Sequence, residues 1–303
     1  MMSIKTGDMR LKGYLWIAMA AALWGVIGPV SRLAFREGMM PLEAAFWRAL
    51  LAWGLFGVHA LLHHQIRIQV RDLPAVCLFG LTGVSLFYGS YLLAIEKGGA
   101  ALAAVLLYTA PAWVALMSRI FFKEMLTPGK LAALILCLAG VAGVSMGAAG
   151  NGLEPAPVLN WPALCFGLTA GFCYSLYYIF GKYFSGRYQA PTLFFYLLPI
   201  GAAGLFPWIQ FSSKTATAWG ALMFIAFFST YGAYYCYYIG LKTLEATRAA
   251  TTATLEPVVA GLTAYVWWGE VLTPMGYAGS LFILAGVLLM VWEGTRSERR
   301  VAD

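Results

Sequence analysis

The chain has 303 residues, of which 61 % are hydrophobic and 11 % charged, with a formal net charge of +7 and a mean hydropathy of +0.74. Soluble domains carry roughly 25 % charged residues, so a soluble globular protein is excluded. The basic balance does not indicate nucleic acid either, because Lys and Arg stand in short clusters between apolar runs. A bilayer-crossing helix needs about 20 apolar residues, and ten such runs are predicted: 13–33, 42–62, 73–95, 99–121, 128–148, 161–183, 191–211, 218–240, 246–268 and 274–293. The first follows Lys5, Arg10 and Lys12 but shows no cleavage site, so it reads as a retained span and not a signal peptide. The longest breaks are 63–72 and 148–160. The second is rich in Gly and Pro and divides the chain into a first unit (1–148), a loop (149–160) and a second unit with a tail (161–303).

Orientation follows from the basic residues, which concentrate in cytoplasmic segments. With the N-terminus inside, the inner segments hold Lys5, Arg10, Lys12, Arg67, Arg71, Arg119, Lys123, Lys130, Lys182, Arg187, Lys242, Arg248, Arg296, Arg299 and Arg300. The outer segments hold only Arg32, Arg36, Lys97 and Lys214, and Arg48 lies within a span. This predicts a multi-pass protein of the cytoplasmic (inner) membrane with both termini cytoplasmic, as an even span number requires.

The two units repeat. Residues 88–141 align with 234–287 without a gap, and 16 of the 54 positions are identical. "KEMLTP" (123–128) matches "GEVLTP" (269–274), Pro111 matches Pro257, Tyr88 matches Tyr234 and Tyr91 matches Tyr237. Upstream, "SRLAFREGMMP" (31–41) resembles "GKYFSGRYQAP" (181–191) at an offset of 150. Each copy has five spans, an odd number, so tandem copies must cross the membrane in opposite senses. Inverted repeats of this kind are a transporter architecture with the substrate site near the midplane between the halves.

Ten spans in two five-helix halves, each with Glu-x-Leu-Thr-Pro before its last helix (Glu124–Pro128 and Glu270–Pro274), resemble the drug/metabolite transporter superfamily in its EamA-type branch. Within that branch the YddG-type amino-acid exporters are the closest match. The resemblance covers the whole chain. It implies an all-α fold, two inverted five-helix repeats around a central cavity, and alternating access. It also implies that the first four helices of each half line the cavity and that the fifth and tenth lie outside it.

Candidate site residues are sought where polarity is costly. Tyr231, Tyr234, Tyr235 and Tyr238 follow i, i+3, i+4, i+7 and are expected on one helix face. Tyr174, Tyr177 and Tyr178 have similar spacing, and Tyr88 and Tyr91 lie in the third span. An aromatic belt at the membrane interface fits Tyr237 and Tyr238, near a span end. It fits the deeper Tyr231 poorly, because a phenol facing lipid leaves its hydroxyl unsatisfied. Pro111 and Pro257, mid-span, each remove a backbone donor; they read as a gating or site-forming helix break, or as a packing kink. Glu256 stands where the first repeat has Ala110. A buried carboxylate costs about 2.5–3.5 kcal/mol on insertion scales, so it must face the interior. It could hold a substrate ammonium, carry a proton, or pair with Arg48 or with Thr251, Thr252 or Thr254. Arg48 itself either meets a substrate carboxylate or snorkels. The expected cavity set is therefore Trp24, Arg48, Tyr88, Tyr91, Tyr108, Tyr174, Tyr177, Tyr178, Tyr231, Tyr234, Tyr235, Thr251 and Glu256, with Pro111 and Pro257 as helix breaks.

Other chemistry finds little support. The five cysteines lie in apolar runs without a CxxC pair. His59, His63 and His64 lack neighbouring carboxylates or Cys, and "GK" at 129–130 and 181–182 lacks the upstream glycine of a phosphate loop. Gly140, Gly143 and Gly147 read as a close helix-packing stripe. No nucleophile–base pair indicates an enzyme. The expectation is a secondary transporter exporting small metabolites, amino acids including aromatic ones above all. The alternatives are a multidrug or organic-cation exporter and a channel-like facilitator. No cofactor, metal or nucleic acid is expected. The partners are a small-molecule substrate and the bilayer, and the chain is read as a monomer.

Overall fold

The computed structural model describes the backbone of residues 2–149 and 158–302, and side chains within 9–147 and 158–295. Lys5, Arg296, Arg299, Arg300 and most of the 149–160 loop thus fall outside the side chains described. The described chain is helical. Among the described residues, nine helices have the length and apolarity of membrane spans: α1 (Met9–Arg36), α2 (Pro41–Leu62), α3 (Val70–Gly98), α4 (Ala100–Phe121), α5 (Pro128–Gly147), α6 (Trp161–Phe184), α7 (Ala190–Trp208), α8 (Ala216–Thr243) and, after an intervening helix, α10 (Pro274–Thr295). The tenth predicted span is α9, in two pieces, Ala246–Ala253 and Glu256–Trp268. It falls short in apolarity because Arg248, five threonines and Glu256 occupy it. Arg248, Thr247, Thr251, Thr252 and Thr254 are all buried, so this polarity faces protein and not lipid.

Helix starts follow local rules. Pro41, Pro162 and Pro191 sit in first turns, where a missing N–H costs nothing. Asn160 caps α6 by accepting from the Ala163 N–H at 2.8 Å, and Thr215 caps α8 by accepting from the Ala218 N–H at 3.2 Å. Two irregularities recur at equivalent repeat positions. α4 breaks at Tyr108–Thr109, before Pro111, and α9 breaks at Thr254–Leu255, before Pro257. α3 contains a π-helical stretch, Leu81–Leu86, and α8 another, Ile225–Gly232.

The packing obeys a two-fold relation. α1 packs on α8 as α6 packs on α3, whereas α2 packs on α7 and α5 on α10. Exchanging the first half for the second maps α1–α8 onto α6–α3 and maps the α2–α7 and α5–α10 pairs onto themselves. An inverted repeat demands this arrangement. α5 and α10 approach at backbone distance: a Cβ at Gly140 would stand 2.6 Å from the Gly279 carbonyl oxygen, and one at Gly147 2.5 Å from the Gly276 nitrogen. The glycine stripe is therefore a helix-packing surface.

Candidate functional site

Between the halves lies a cavity of about 790 Å³. Its wall takes Trp24, Gly28 and Arg32 from α1, Arg48 from α2, Phe87, Tyr88 and Tyr91 from α3, and Tyr108 from α4. The second half adds Tyr174 and Tyr177 from α6, Tyr234 from α8, and Glu256 and Pro257 from α9. Val144 and Ser145 of α5 also reach it, so the fifth helix is not wholly outside the cavity as the resemblance implied. The mouth lies at the helix ends bearing Arg32, Ala100 and Glu270–Leu272.

The floor is aromatic. Tyr177 and Tyr234 stack at 5.6 Å with an interplanar angle of 6°, and Trp24 meets Tyr234 edge-on at 5.7 Å. The Tyr177 hydroxyl donates to the Gly83 carbonyl at 2.8 Å, inside the π stretch of α3. A π turn leaves helix carbonyls displaced from regular i−4 pairing, and Tyr177 uses one of them. The buried Tyr177 phenol thus has a polar partner, as burial requires.

Away from the mouth pair of Arg32 and Glu270, one guanidinium and one carboxyl group face this space. The Arg48 guanidinium lies 5.3 Å from the Tyr88 ring centre and shares the chamber wall with Tyr177 and Tyr234. It points inward and does not snorkel. Glu256 accepts from the Tyr174 hydroxyl at 3.2 Å and shares the wall with Tyr108. The threonines are not its partners. Thr251, Thr252 and Thr254 donate to the carbonyls of Thr247, Arg248 and Thr251. The break at Thr254–Leu255 places Glu256 in the first turn of the second α9 piece, where the helix dipole favours a carboxylate. Arg48 and Glu256 bring a guanidinium and a carboxyl group, each beside phenols, to one aromatic chamber.

Four expected members stand elsewhere. Tyr231 and Tyr235 are turned toward α2: the Tyr231 hydroxyl and His59 Nδ1 are 2.7 Å apart, and Tyr235 packs on the His59 ring at 5.4 Å. The single-face expectation assumed 3.6 residues per turn. The π stretch Ile225–Gly232 widens the turn that carries Tyr231, with Thr230 Oγ1 donating to the Ile225 carbonyl five residues back, whereas Tyr235, one residue past Tyr234, diverges from it by the roughly 100° of any helical step. Tyr178 is 2 % exposed and packs edge-on against Tyr237 beneath the floor. Thr251 is fully buried in α9. Pro111 lies with Tyr178 in a minor cleft below the chamber, whereas Pro257 reaches the wall.

Tyr237 and Tyr238 are not an interface belt. They are 1 % and 2 % exposed, and their hydroxyls donate to the carbonyls of Tyr177 at 2.7 Å and Tyr188 at 3.0 Å. They form the plug that closes the chamber on the face opposite its mouth. Sequence reasoning also missed Phe87, Arg32, Glu270, Val144 and Ser145. Arg32 and Glu270 were visible, the first as a topology charge and the second inside the repeated motif, but neither had a signal aiming it at the cavity.

The model of the EamA-like transporter family matches residues 11–146 and again 161–292. An uncharacterized transporter of Archaeoglobus fulgidus is 27 % identical over 285 residues, 93 % of this chain and 99 % of that protein. A probable terminal-alkyne amino-acid exporter of Streptantibioticus cattleyicolor is 23 % identical over 298 residues, 93 % of this chain and 94 % of that protein. A protein crystal structure superposes with a TM-score of 0.78 at 19 % identity, covering 96 % of this chain and 99 % of the other, which shows a shared fold. With matches in both halves and the two-fold helix packing in place, the chain is a multi-pass membrane transporter and belongs to the EamA-like transporter family.

Proposed function

We propose that the protein exports amino acids, aromatic ones included, by alternating access across the inner membrane, with both termini cytoplasmic. The observation that carries this reading is the pairing of Arg48 and Glu256 in one aromatic chamber. An α-amino acid is a zwitterion. Arg48 supplies a donor fork for its carboxylate, Glu256 an acceptor for its ammonium, and the Tyr and Trp rings a surface for its side chain. An organic cation would satisfy Glu256 and the rings but would meet Arg48 as a like charge, which disfavours the cation-exporter reading. The buried plug of Tyr178, Tyr237 and Tyr238 is what a carrier needs and what an open channel would lack. The amino-acid exporter among the relatives lends weight to the same substrate class. The fifteen-to-four distribution of basic residues supports cytoplasmic termini and so a mouth facing outward.

Mechanism follows from the site. Substrate enters from the face where Tyr177, Tyr234 and Trp24 are now closed over by the plug, displaces the phenol contacts of Arg48 and Glu256, and leaves through the present mouth. Competition in purified protein tests the substrate class. L-phenylalanine is expected to compete with labelled L-tyrosine, whereas tyramine, lacking the carboxylate, and 4-hydroxyphenylpropionate, lacking the ammonium, are expected to fail. Equal competition by tyramine would replace this reading with the organic-cation one.

A further inference from the structure

The repeated motif carries a chemistry that the two faces use differently. On the plugged face, Glu124 reaches across to the start of α9. Its carboxylate accepts from the Ala246 N–H at 2.8 Å, the Thr247 N–H at 3.2 Å and the Thr247 hydroxyl at 2.7 Å. Beside it, Lys182 Nζ donates to the carbonyl of Leu241 at 3.0 Å and to that of Leu244. The α8–α9 junction is thus clasped by a carboxylate on free amides and a cation on free carbonyls, the groups that helix ends leave unpaired.

At the repeat offset of 146, Glu124 corresponds to Glu270, Ala246 to Ala100 and Leu241 to Ile95; at the upstream offset of 150, Lys182 corresponds to Arg32. The corresponding clasp would join Glu270 to the α4 start and Arg32 to the α3 end. It is not made. Gly99 gives the α4 N-terminus no side-chain cap, and Arg32 and Glu270 instead form an ion pair with each other at the mouth. Their side chains are 45 % and 28 % exposed, whereas Glu124 is 7 % exposed.

We infer that Glu124 with Lys182, and Glu270 with Arg32, are reciprocal latches of the two gates. In the state opposite to this one, Glu124 releases the α9 amides and opens the plugged face. The Arg32–Glu270 pair parts, Glu270 caps Ala100 and Ala101, and Arg32 takes the α3 C-terminal carbonyls, closing the present mouth. The latches are unequal. Thr247 corresponds to Ala101, so the mouth latch lacks the hydroxyl bond and the present state is favoured.

The inference rests on alternating access but not on the substrate, so its test uses none. Gly28 lies exposed on the mouth wall, and a Cβ there meets nothing within 4 Å. Its counterpart on the plugged face, Tyr178, is 2 % exposed, so residue 28 is expected to be covered when the mouth closes. A Gly28→Cys protein in proteoliposomes is labelled with a membrane-impermeant thiol reagent, and peptide mass spectrometry follows residue 28 alone. Glu124→Gln is expected to slow labelling about two- to tenfold, because losing a charge-assisted bond shifts the two-state ratio about tenfold or more. Thr247→Ala slows it less, and Ala101→Thr, which supplies the missing hydroxyl to the mouth latch, also slows it. Glu270→Gln leaves labelling at or above the parent rate. The proposal is overturned if Glu270→Gln slows labelling as Glu124→Gln does, or if Thr247→Ala and Ala101→Thr both leave it unchanged. Those two single-hydroxyl variants decide the matter should Glu124→Gln not fold. A failed competition assay with normal labelling shifts would remove the amino-acid reading and keep the latches.

Discussion

Glu256 and Arg48 are the residues on which the substrate reading turns. Each is already surrounded by phenols, so substituting one removes a ligand contact without stranding its neighbour in hydrocarbon. A hydrogen bond to a charged group is worth about 1.5–3 kcal/mol. Arg48→Gln and Glu256→Gln are therefore each expected to weaken tyrosine binding about 10- to 100-fold, measured by equilibrium binding in detergent, while unfolding midpoints move little. Unchanged affinity in both would remove them from recognition. The tyrosines divide by the same logic. Tyr234→Ala strips the stacked floor and is expected to abolish transport with folding intact. Tyr237→Phe removes the side-chain donor to the Tyr177 carbonyl and is expected to cost about 1 kcal/mol of stability, read by thermal unfolding.

At the scale of helices, the informative features are departures from regularity. The Thr254–Leu255 break sets Glu256 at a helix start, and the proline after it announced this from the sequence. The π stretch of Ile225–Gly232 had no such announcement. Regular spacing put Tyr231 and Tyr235 on the face of Tyr234, and both stand against His59 instead, Tyr231 from within the π stretch. Threonine and glycine within that stretch allow a π turn but do not require one, so its phase shift was illegible. The glycine stripe of α5 was legible because only glycine permits a carbonyl 2.6 Å from where its Cβ would stand. Gly140→Leu is expected to destabilise the protein by more than about 3 kcal/mol, since the clash is with backbone that cannot repack; an unaltered melting curve would contradict the packing. The α8–α9 connection also predicts a pH dependence. Burial pushes the Glu245 carboxyl up, but the Lys130 and Arg248 cations beside it outweigh burial and hold it below its usual range. The carboxyl is ionised more readily folded than unfolded, so its stabilisation is complete above the unfolded value near 4.5 and is lost as pH falls through the lower folded value. Acid melting below pH ~4.5 is expected to be less steep in Glu245→Gln, and identical pH profiles would refute the assignment.

For the whole molecule, the architecture was readable because symmetry is written twice. An odd number of spans per copy forces inversion, and the Glu-x-Leu-Thr-Pro match fixed the register between copies. The helix pairs then follow from the two-fold axis. What symmetry could not supply was which face of the cavity is open. The copies are equivalent in sequence position but not in conformation, so Glu124 and Glu270 looked alike until one was found capping α9 and the other paired with Arg32. The central claim is that one site serves both faces in turn. Counterflow in proteoliposomes tests it most directly. Vesicles loaded with unlabelled L-tyrosine are diluted into a trace of labelled L-tyrosine, without any ion gradient. A carrier predicts uptake that is saturable, accelerated by the internal pool and transiently above equilibrium, and abolished by Tyr234→Ala. Uptake that rises linearly with concentration and ignores the internal pool would contradict the account.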